Sequence, residues 1–528
     1  MSLLKKYPLY VGALLLIVLY FASRLYNILS LPIFTDEAIY IRWSQIALQD
    51  SNWRFISLTD GKQPMYVWFA MIFLKFVQDP LLAGRLVSVL AGFLTTIGIF
   101  FLTREIFKNL KIAFIASFLY IIFPFALVYD RIALYDSLVA MFMIWSLYFE
   151  ILLAKHIRLD LALILGMIVG GGMLTKTNAN FALILLPFSL LLFDFKSKSR
   201  KPKFVHWIIY AVAATVLANL IYAILRLSPF YYIINQKNYL FIYSPQEWFM
   251  HPFTYLLNNL GAFLNWLIGY STIPFLILVV SSFVIARSEE RTTKQSLSTT
   301  GLPRSLSVAR NDKIREKTLL FLWFLVPLIS TALFGKLLYP RFLLFMTIPL
   351  IPLAAYSLYF LIEKSKYIWL KILIIIVFIL TFLIKDYYIL NDFKNASIPQ
   401  ADKGQFITGW PSGVGVAETV EFLQQKAKNQ KIFVGTQGTF GLMPYALEIY
   451  LNKNRNIKIV GYWPTAEKPS KEVIRKAQKM PTFFVFYQAC NSCKAIGVAP
   501  DSWPVKKIFQ IEKEEKGQFY TLYQIKPQ

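Results

Sequence analysis

Apolar runs long enough to cross a lipid bilayer recur along the first 385 residues, and no other feature constrains the fold as much. A span takes roughly 17–25 mostly apolar residues. About eleven such runs are present, near 8–28, 82–103, 112–129, 137–154, 160–177, 179–194, 205–226, 262–286, 318–335, 342–362 and 367–385. The chain is 57% hydrophobic and only 16% charged, where a soluble domain carries nearer a quarter. Most of it belongs in lipid.

The basic residues orient these spans. With the N-terminus inside, the inner loops hold Lys5 and Lys6, then Arg104, Lys108 and Lys111, then Lys155 and Arg158, then Lys196, Lys198, Arg200, Lys201 and Lys203. The 287–317 loop is also basic, and Lys364 and Lys366 follow. Cytoplasmic loops are expected to be enriched in Lys and Arg. The net charge of +26 therefore reads as membrane flanks, with a share for anionic lipid or phosphate, and not as a nucleic-acid surface. An odd number of spans places the part after 386 outside. The first run, from Tyr7 to about Ala22, leads into Arg24 without an A-x-A site and reads as a retained anchor.

The expected architecture is an α-helical polytopic membrane protein of about eleven transmembrane helices (1–385) with an extracytoplasmic α/β domain (386–528). It predicts a multi-pass protein of the cell membrane with a cytoplasmic N-terminus. The outer segments are 29–81, 130–136, 227–261, 336–341 and the C-terminal domain. Asp36 to Gln49 reads as a surface helix, and Pro64 to Phe76 as a second, more apolar one. The 287–317 stretch is rich in Ser, Thr and Arg and reads as a disordered cytoplasmic insertion. In the outer domain, Glu418–Lys428 and Tyr445–Leu451 read as helices. Lys431–Val434, Ile457–Tyr462, Thr482–Tyr487 and Phe519–Ile525 read as strands. Cys490 and Cys493 form a C-x-x-C, for which an oxidising exterior favours a local disulfide over a zinc half-site.

Charged residues at the outer ends of the spans are the candidates for chemistry, because charge near hydrocarbon needs a reason. Asp36 and Glu37 open the surface helix. Thr35 or Asp36 as its cap, with Glu37 opposing the dipole, is one account. A base that takes a proton from an acceptor hydroxyl or amine is the other. Arg131 and Asp136 flank the start of a span and could form a salt bridge or a functional pair. Arg85 reads as a cation snorkelling to headgroups. Lys62, Lys176 and Arg341, the last following Tyr339-Pro340, would together suit a phosphate leaving group, which needs preorganised positive charge as its bond breaks. The lone His251 has no partner at metal spacing, and nothing in the sequence demands a metal or other cofactor.

At these residues the sequence resembles the GT-C superfamily of membrane glycosyltransferases. Within it, it is most similar to glycosyltransferase family 39, which includes the protein O-mannosyltransferases and the bacterial lipid A aminoarabinose transferases. The strings that carry the resemblance are TDEAIY (35–40), GKQPMYVWF (61–69), GRLVSVLAG (84–92), DRIALYDSLVAMF (130–142), LTKTNA (174–179) and YPRFLLFMTIPL (339–350). The resemblance implies an outward-facing cavity, a polyprenyl-phosphate sugar donor and an inverting transfer. It puts Asp36 in the catalytic acidic position with Glu37 in support, Asp136 in the second acidic position, and Lys62 at the donor phosphate. Arg131, Lys176, Tyr339 and Arg341 are expected around the donor. Gln63 stands where the family usually has proline, and the outer domain matches neither named subgroup.

The reading is an enzyme of the cell envelope that moves a sugar from a lipid carrier to a protein, lipid or polymer. The expected partners are membrane lipid and the lipid-linked donor. Two alternatives make different demands. A transporter or flippase would show internal repeats and mid-span polar residues. An oligosaccharyltransferase-like enzyme would require a metal.

Overall fold

The computed structural model describes residues 8–285, 305–513 and 515–527. Each predicted apolar run falls on helix. Six of the described helices are long and apolar enough to cross a membrane: Pro80–Phe107, Tyr135–His156, Arg200–Leu227, Ile314–Phe334, Pro340–Lys364 and Ile368–Asn391. Leu256–Ser271 and Ile273–Ile285 form a pair bent by 100°, which makes a seventh if taken as one span. The other runs appear as the shorter helices Leu9–Leu25, Leu110–Ile121, Leu159–Met173 and Thr177–Leu192.

The shortening has local causes. The expected 112–129 run breaks at Ile122–Phe123, ahead of Pro124, which opens the next short helix, Pro124–Tyr129. Proline cannot supply the amide that would continue the ladder. The 287–317 expectation needs correction. Residues 287–304 lie outside the described residues, but a helix runs from Ser305 to Phe334, so 305–317 is not loop.

Both surface helices form, as Thr35–Gln49 and Met65–Phe73. The first is fastened by Glu37, which is fully buried against the equally buried Arg85. The two side chains meet at 2.8 and 2.9 Å through both carboxylate oxygens. Those oxygens also accept the amides of Phe34 (2.9 Å) and Ala133 (2.7 Å). Arg85 donates in addition to the Leu31 carbonyl at 3.1 Å. Arg85 is thus a buried clamp, not a snorkelling cation. The cap of the helix is Glu37, not Thr35 or Asp36.

A second buried cluster sets the 130–134 turn. Asp130 accepts from Arg24 (3.3 Å), Tyr120 (3.2 Å) and Ser137 (2.9 Å). Gly92 faces it, where a Cβ would come within 2.3 Å of the Asp130 carboxylate. At the opposite end of the bundle, Lys155 bridges Glu105 (3.3 Å) and Glu316 (2.7 Å).

After Asn391 the chain builds a small α/β domain. Its sheet has the order β2-β1-β3-β5-β4, with β1 Ile432–Gln437, β2 Ile457–Tyr462, β3 Thr482–Phe486, β4 Val505–Glu512 and β5 Phe519–Ile525. β1 runs parallel to β2 and β3, while β5 is antiparallel to β3 and β4. β4 was not expected, since its exposed lysines interrupt the apolar alternation. Cys490 and Cys493 are disulfide-bonded.

This domain sits on the helix that carries Asp36. Arg42 pairs with Glu448 at 2.6 Å, and Gln45 donates to the Ile449 carbonyl at 2.8 Å. The Thr35 amide and hydroxyl both donate to the Pro411 carbonyl, at 3.1 and 2.8 Å. Lys513 holds that loop by donating to the Ser412 carbonyl at 2.8 Å.

Breaking a buried ion pair by removing one partner costs about 3–5 kcal/mol. Glu37→Ala should therefore lower the melting temperature of the detergent-purified protein sharply, and by more than Asp36→Asn, whose ion pair with Arg341 is less deeply buried and whose amide keeps an oxygen for the guanidinium. Equal melting of the two variants would contradict the structural role given to Glu37.

Candidate active site

Six segments from distant parts of the sequence meet at one end of the bundle and enclose a cavity of about 470 Å³. Lys62, Asp136, Lys176, Lys237 and Arg341 all line it.

The Gly61-Lys62-Gln63 loop is held in place by close packing. Gly61 has φ +66°, and a Cβ there would fall 2.6 Å from the Lys237 Cβ and 2.8 Å from the Ile233 carbonyl. Glycine is thus required both by conformation and by approach. Gln63 donates to the Thr177 hydroxyl at 2.9 Å, which ties this loop to the one that carries Lys176. The departure from proline at this position thus has a bonding role.

Asp136 lies in the first turn of Tyr135–His156 and is 6% exposed. Lys176 is extended backbone after the Leu159–Met173 helix, and its Nζ reaches Asp136 Oδ1 at 2.7 Å while sitting over the Phe342 ring at 4.6 Å. Arg341 starts the Pro340–Lys364 segment. It rests over the Tyr339 ring at 4.9 Å and donates to Asp36 Oδ2 at 2.7 Å. Its Nε is buried without a hydrogen-bond partner among the described residues. Lys62 lies 5.5 Å from the Phe241 ring centroid.

The charges shift one another. Burial pushes the Asp36 carboxyl up, but Arg341 and then Lys62 pull it back, to below the usual carboxylate value. Burial pushes the Lys62 amine down to about 8. Asp36 opposes that fall, and Arg341 and Lys176 add to it. Burial likewise lowers Lys176, against the pull of Asp136.

Most of the expected residues converge. Asp136, Lys62, Lys176 and Arg341 face the cavity, Asp36 stands behind Arg341, and Tyr339 supports the same guanidinium. Two do not belong. Glu37 is saturated by Arg85 and two backbone amides, which leaves no oxygen for substrate. Arg131 points elsewhere. It donates to the Tyr26 carbonyl at 2.7 Å and forms no bridge to Asp136. Lys237 was missed. It pairs with Asp60 at 2.7 Å from the short helix Ile233–Phe241. The available signal was a polar Asn-Gln-Lys-Asn step inside an otherwise aromatic segment. Tyr135 was missed as well; its buried hydroxyl lines the cavity without a partner.

The lining also includes the apolar side chains of Phe181, Ile184, Phe241, Phe334, Leu338 and Phe342. Ile184 is 55% exposed on the outside of the bundle. The cavity thus joins a cationic head to an apolar flank. Among the described residues no group of three or more His, Cys, Asp or Glu is placed to hold a metal ion.

A lysine titrating near 8 is open to direct test. Competitive acylation of the full-length protein, read by mass spectrometry, should give Lys62 a reactivity midpoint close to about 8. A midpoint near the ordinary lysine value of roughly 10.4 would contradict the enclosure described here.

Residues 61–224 match the family model described as dolichyl-phosphate-mannose-protein mannosyltransferase. That segment contains Lys62, Asp136 and Lys176, with Asp36 before it and Arg341 beyond it. No curated protein sequence matches significantly. Among solved structures, ArnT from Cupriavidus metallidurans bound to undecaprenyl phosphate superposes with a TM-score of 0.57 at 12% identity, covering 98% of this chain and 97% of that one. The oligosaccharyltransferase AglB from Archaeoglobus fulgidus, in complex with an inhibitory peptide and a dolichol-phosphate, gives 0.51 at 12% identity, covering 91% and 69%. The chain therefore shares its fold with ArnT and AglB, and across residues 61–224 its sequence matches the dolichyl-phosphate-mannose-protein mannosyltransferase model.

Proposed function

We propose that the protein transfers a sugar from a polyprenyl-phosphate carrier to an acceptor at the outer face of the cell membrane, with inversion at the anomeric carbon. The observation that carries this reading is the cavity itself. Lys62, Lys176, Lys237 and Arg341 line it together with apolar side chains, which suits a phosphate on an isoprenoid chain. The bound undecaprenyl phosphate of ArnT and the dolichol-phosphate of AglB support the same class of carrier.

In the proposed step the acceptor oxygen or nitrogen bonds to the anomeric carbon as the bond from that carbon to the phosphate oxygen breaks. The electron pair leaves on the phosphate, and the acceptor proton passes to Asp36. Charge grows on the phosphate in the transition state, so fixed cations there lower the barrier. Arg341 couples the two ends of the reaction. Its Nη1 holds Asp36 at 2.7 Å, and its buried, unpaired Nε is a spare donor for a phosphate oxygen. A guanidinium drawn toward the phosphate loosens its hold on Asp36 and raises the basicity of that carboxylate as the proton is needed. Asp136 keeps the Lys176 ammonium in place. Tyr339 keeps the Arg341 plane in place by stacking.

The basic loops at the end away from the cavity support a cytoplasmic N-terminus and an outward-facing site. The outer domain contacts the Asp36 helix directly, which suits a part in holding the acceptor.

With purified full-length protein and an undecaprenyl-phosphate sugar, Asp36→Asn should lower kcat by about 10²–10⁴ with a smaller loss of melting temperature than Glu37→Ala. Full activity in that variant would remove Asp36 from the mechanism. Because the Lys62 amine titrates at about 8, it is charged below that pH and neutral above it. The donor kcat/KM should fall as pH rises through this value, and Lys62→Arg should move the limb upward. An unmoved limb would assign it to another group. Mass spectrometry of envelope glycolipids and surface glycoproteins in a deletion strain identifies the sugar and acceptor.

A further inference from the structure

Arg131 has an environment of its own, away from the active-site cavity. It is 7% exposed. Among the described residues its one hydrogen bond goes to the Tyr26 carbonyl, and its Nε is buried without a partner. No carboxylate answers its charge. Asp130 is turned onto Arg24, Tyr120 and Ser137, and Asp136 is taken by Lys176. Burial, followed by repulsion from Arg85 and Arg24, pushes the guanidinium down to about 9. An unpaired buried cation costs several kcal/mol, and an anion beside it would offset that cost.

Beside Arg131 lies a second cavity of about 210 Å³, which shares no lining residue with the first. Ser30, Leu127, Leu390, Asn391 and Lys394 line it with Arg131. Asp392, on the same rim, accepts from the Asn395 side chain at 2.7 Å. The Tyr26 hydroxyl donates to Asn391 Oδ1 at 3.1 Å and ties the two sides together. Around the opening, Tyr26, Leu29, Tyr387 and Tyr388 are exposed at the ends of two apolar helices. Exposed tyrosines at such ends mark the headgroup level of a bilayer.

We infer that this cavity binds the phosphate of an anionic lipid, with Arg131 as its charged ligand and the second amide hydrogen of Asn391, whose first goes to the Tyr387 carbonyl, as a further donor. The apolar rim and the boundary position favour a phosphate on an acyl or isoprenoid chain over the free ion. An anionic glycerophospholipid and the polyprenyl phosphate carrier share that chemistry.

The test uses delipidated full-length protein in non-ionic detergent. Its melting temperature is followed with added phosphatidylglycerol, phosphatidylcholine, undecaprenyl phosphate or inorganic phosphate. Phosphatidylglycerol should raise the melting temperature saturably in the wild type. Arg131→Gln should lose that shift and Lys176→Gln should keep it. An Arg131-dependent shift with undecaprenyl phosphate alone would assign the site to the carrier and still support a lipid phosphate. If Arg131→Gln fails to fold, Leu390→Trp fills the cavity with the arginine in place and should also lose the shift. Equal shifts with phosphatidylglycerol and phosphatidylcholine would overturn the inference. So would full reproduction by inorganic phosphate, or wild-type shifts in both Arg131→Gln and Leu390→Trp.

Discussion

The buried pair between Glu37 and Arg85 is the joint on which the geometry rests. The helix Thr35–Gln49 is short and largely buried, and a helix of this length has little stability of its own in water. It holds its place because Glu37 reaches inward to a guanidinium rooted in the long Pro80–Phe107 helix and to two backbone amides. Asp36, the next residue, is thereby aimed at the cavity. Neighbouring carboxylates take opposite roles because successive residues on a helix point about 100° apart. One is spent on position, and the other is left to face Arg341.

The same economy of charge runs through the cavity. Asp136 on its lining, and Asp36 and Asp60 behind it, each hold a cation that faces the enclosed space. Buried charges are tolerable only when paired. An arriving phosphate would compete with the carboxylates for the same cations. In the proposed reaction this exchange links donor binding to release of Asp36 as a base. The C-terminal domain bears on the same helix through Arg42–Glu448 and the Thr35–Pro411 contacts.

Much of this was legible in the sequence. The apolar runs marked every long helix, because in lipid the pattern has few alternatives. Short apolar runs marked β2, β3 and β5, and no such run marked β4, whose lysines face outward. Lys62, Asp136, Lys176 and Arg341 were found as charges where charge is costly. What sequence could not supply was direction. Glu37 and Arg131 carried the same warning signs as Asp36 and Lys176, but packing turned Glu37 into the core and Arg131 into a separate cavity. Lys237 escaped because its segment read as an aromatic interface belt, and its partner Asp60 lies far away in the chain. The break ahead of Pro124 also made the Leu110–Ile121 helix shorter than its hydropathy suggested.

The central claim is that one cationic cavity receives the phosphate of a lipid carrier. An electron cryomicroscopy map of the full-length protein in nanodiscs with undecaprenyl phosphate tests it most directly. The account predicts phosphate density within hydrogen-bond reach of Lys62, Lys176 and Arg341, with the isoprenoid chain along Phe181 and Ile184 and Arg341 drawn from Asp36. A headgroup bound at any other place, with Arg341 still closed on Asp36, would contradict it.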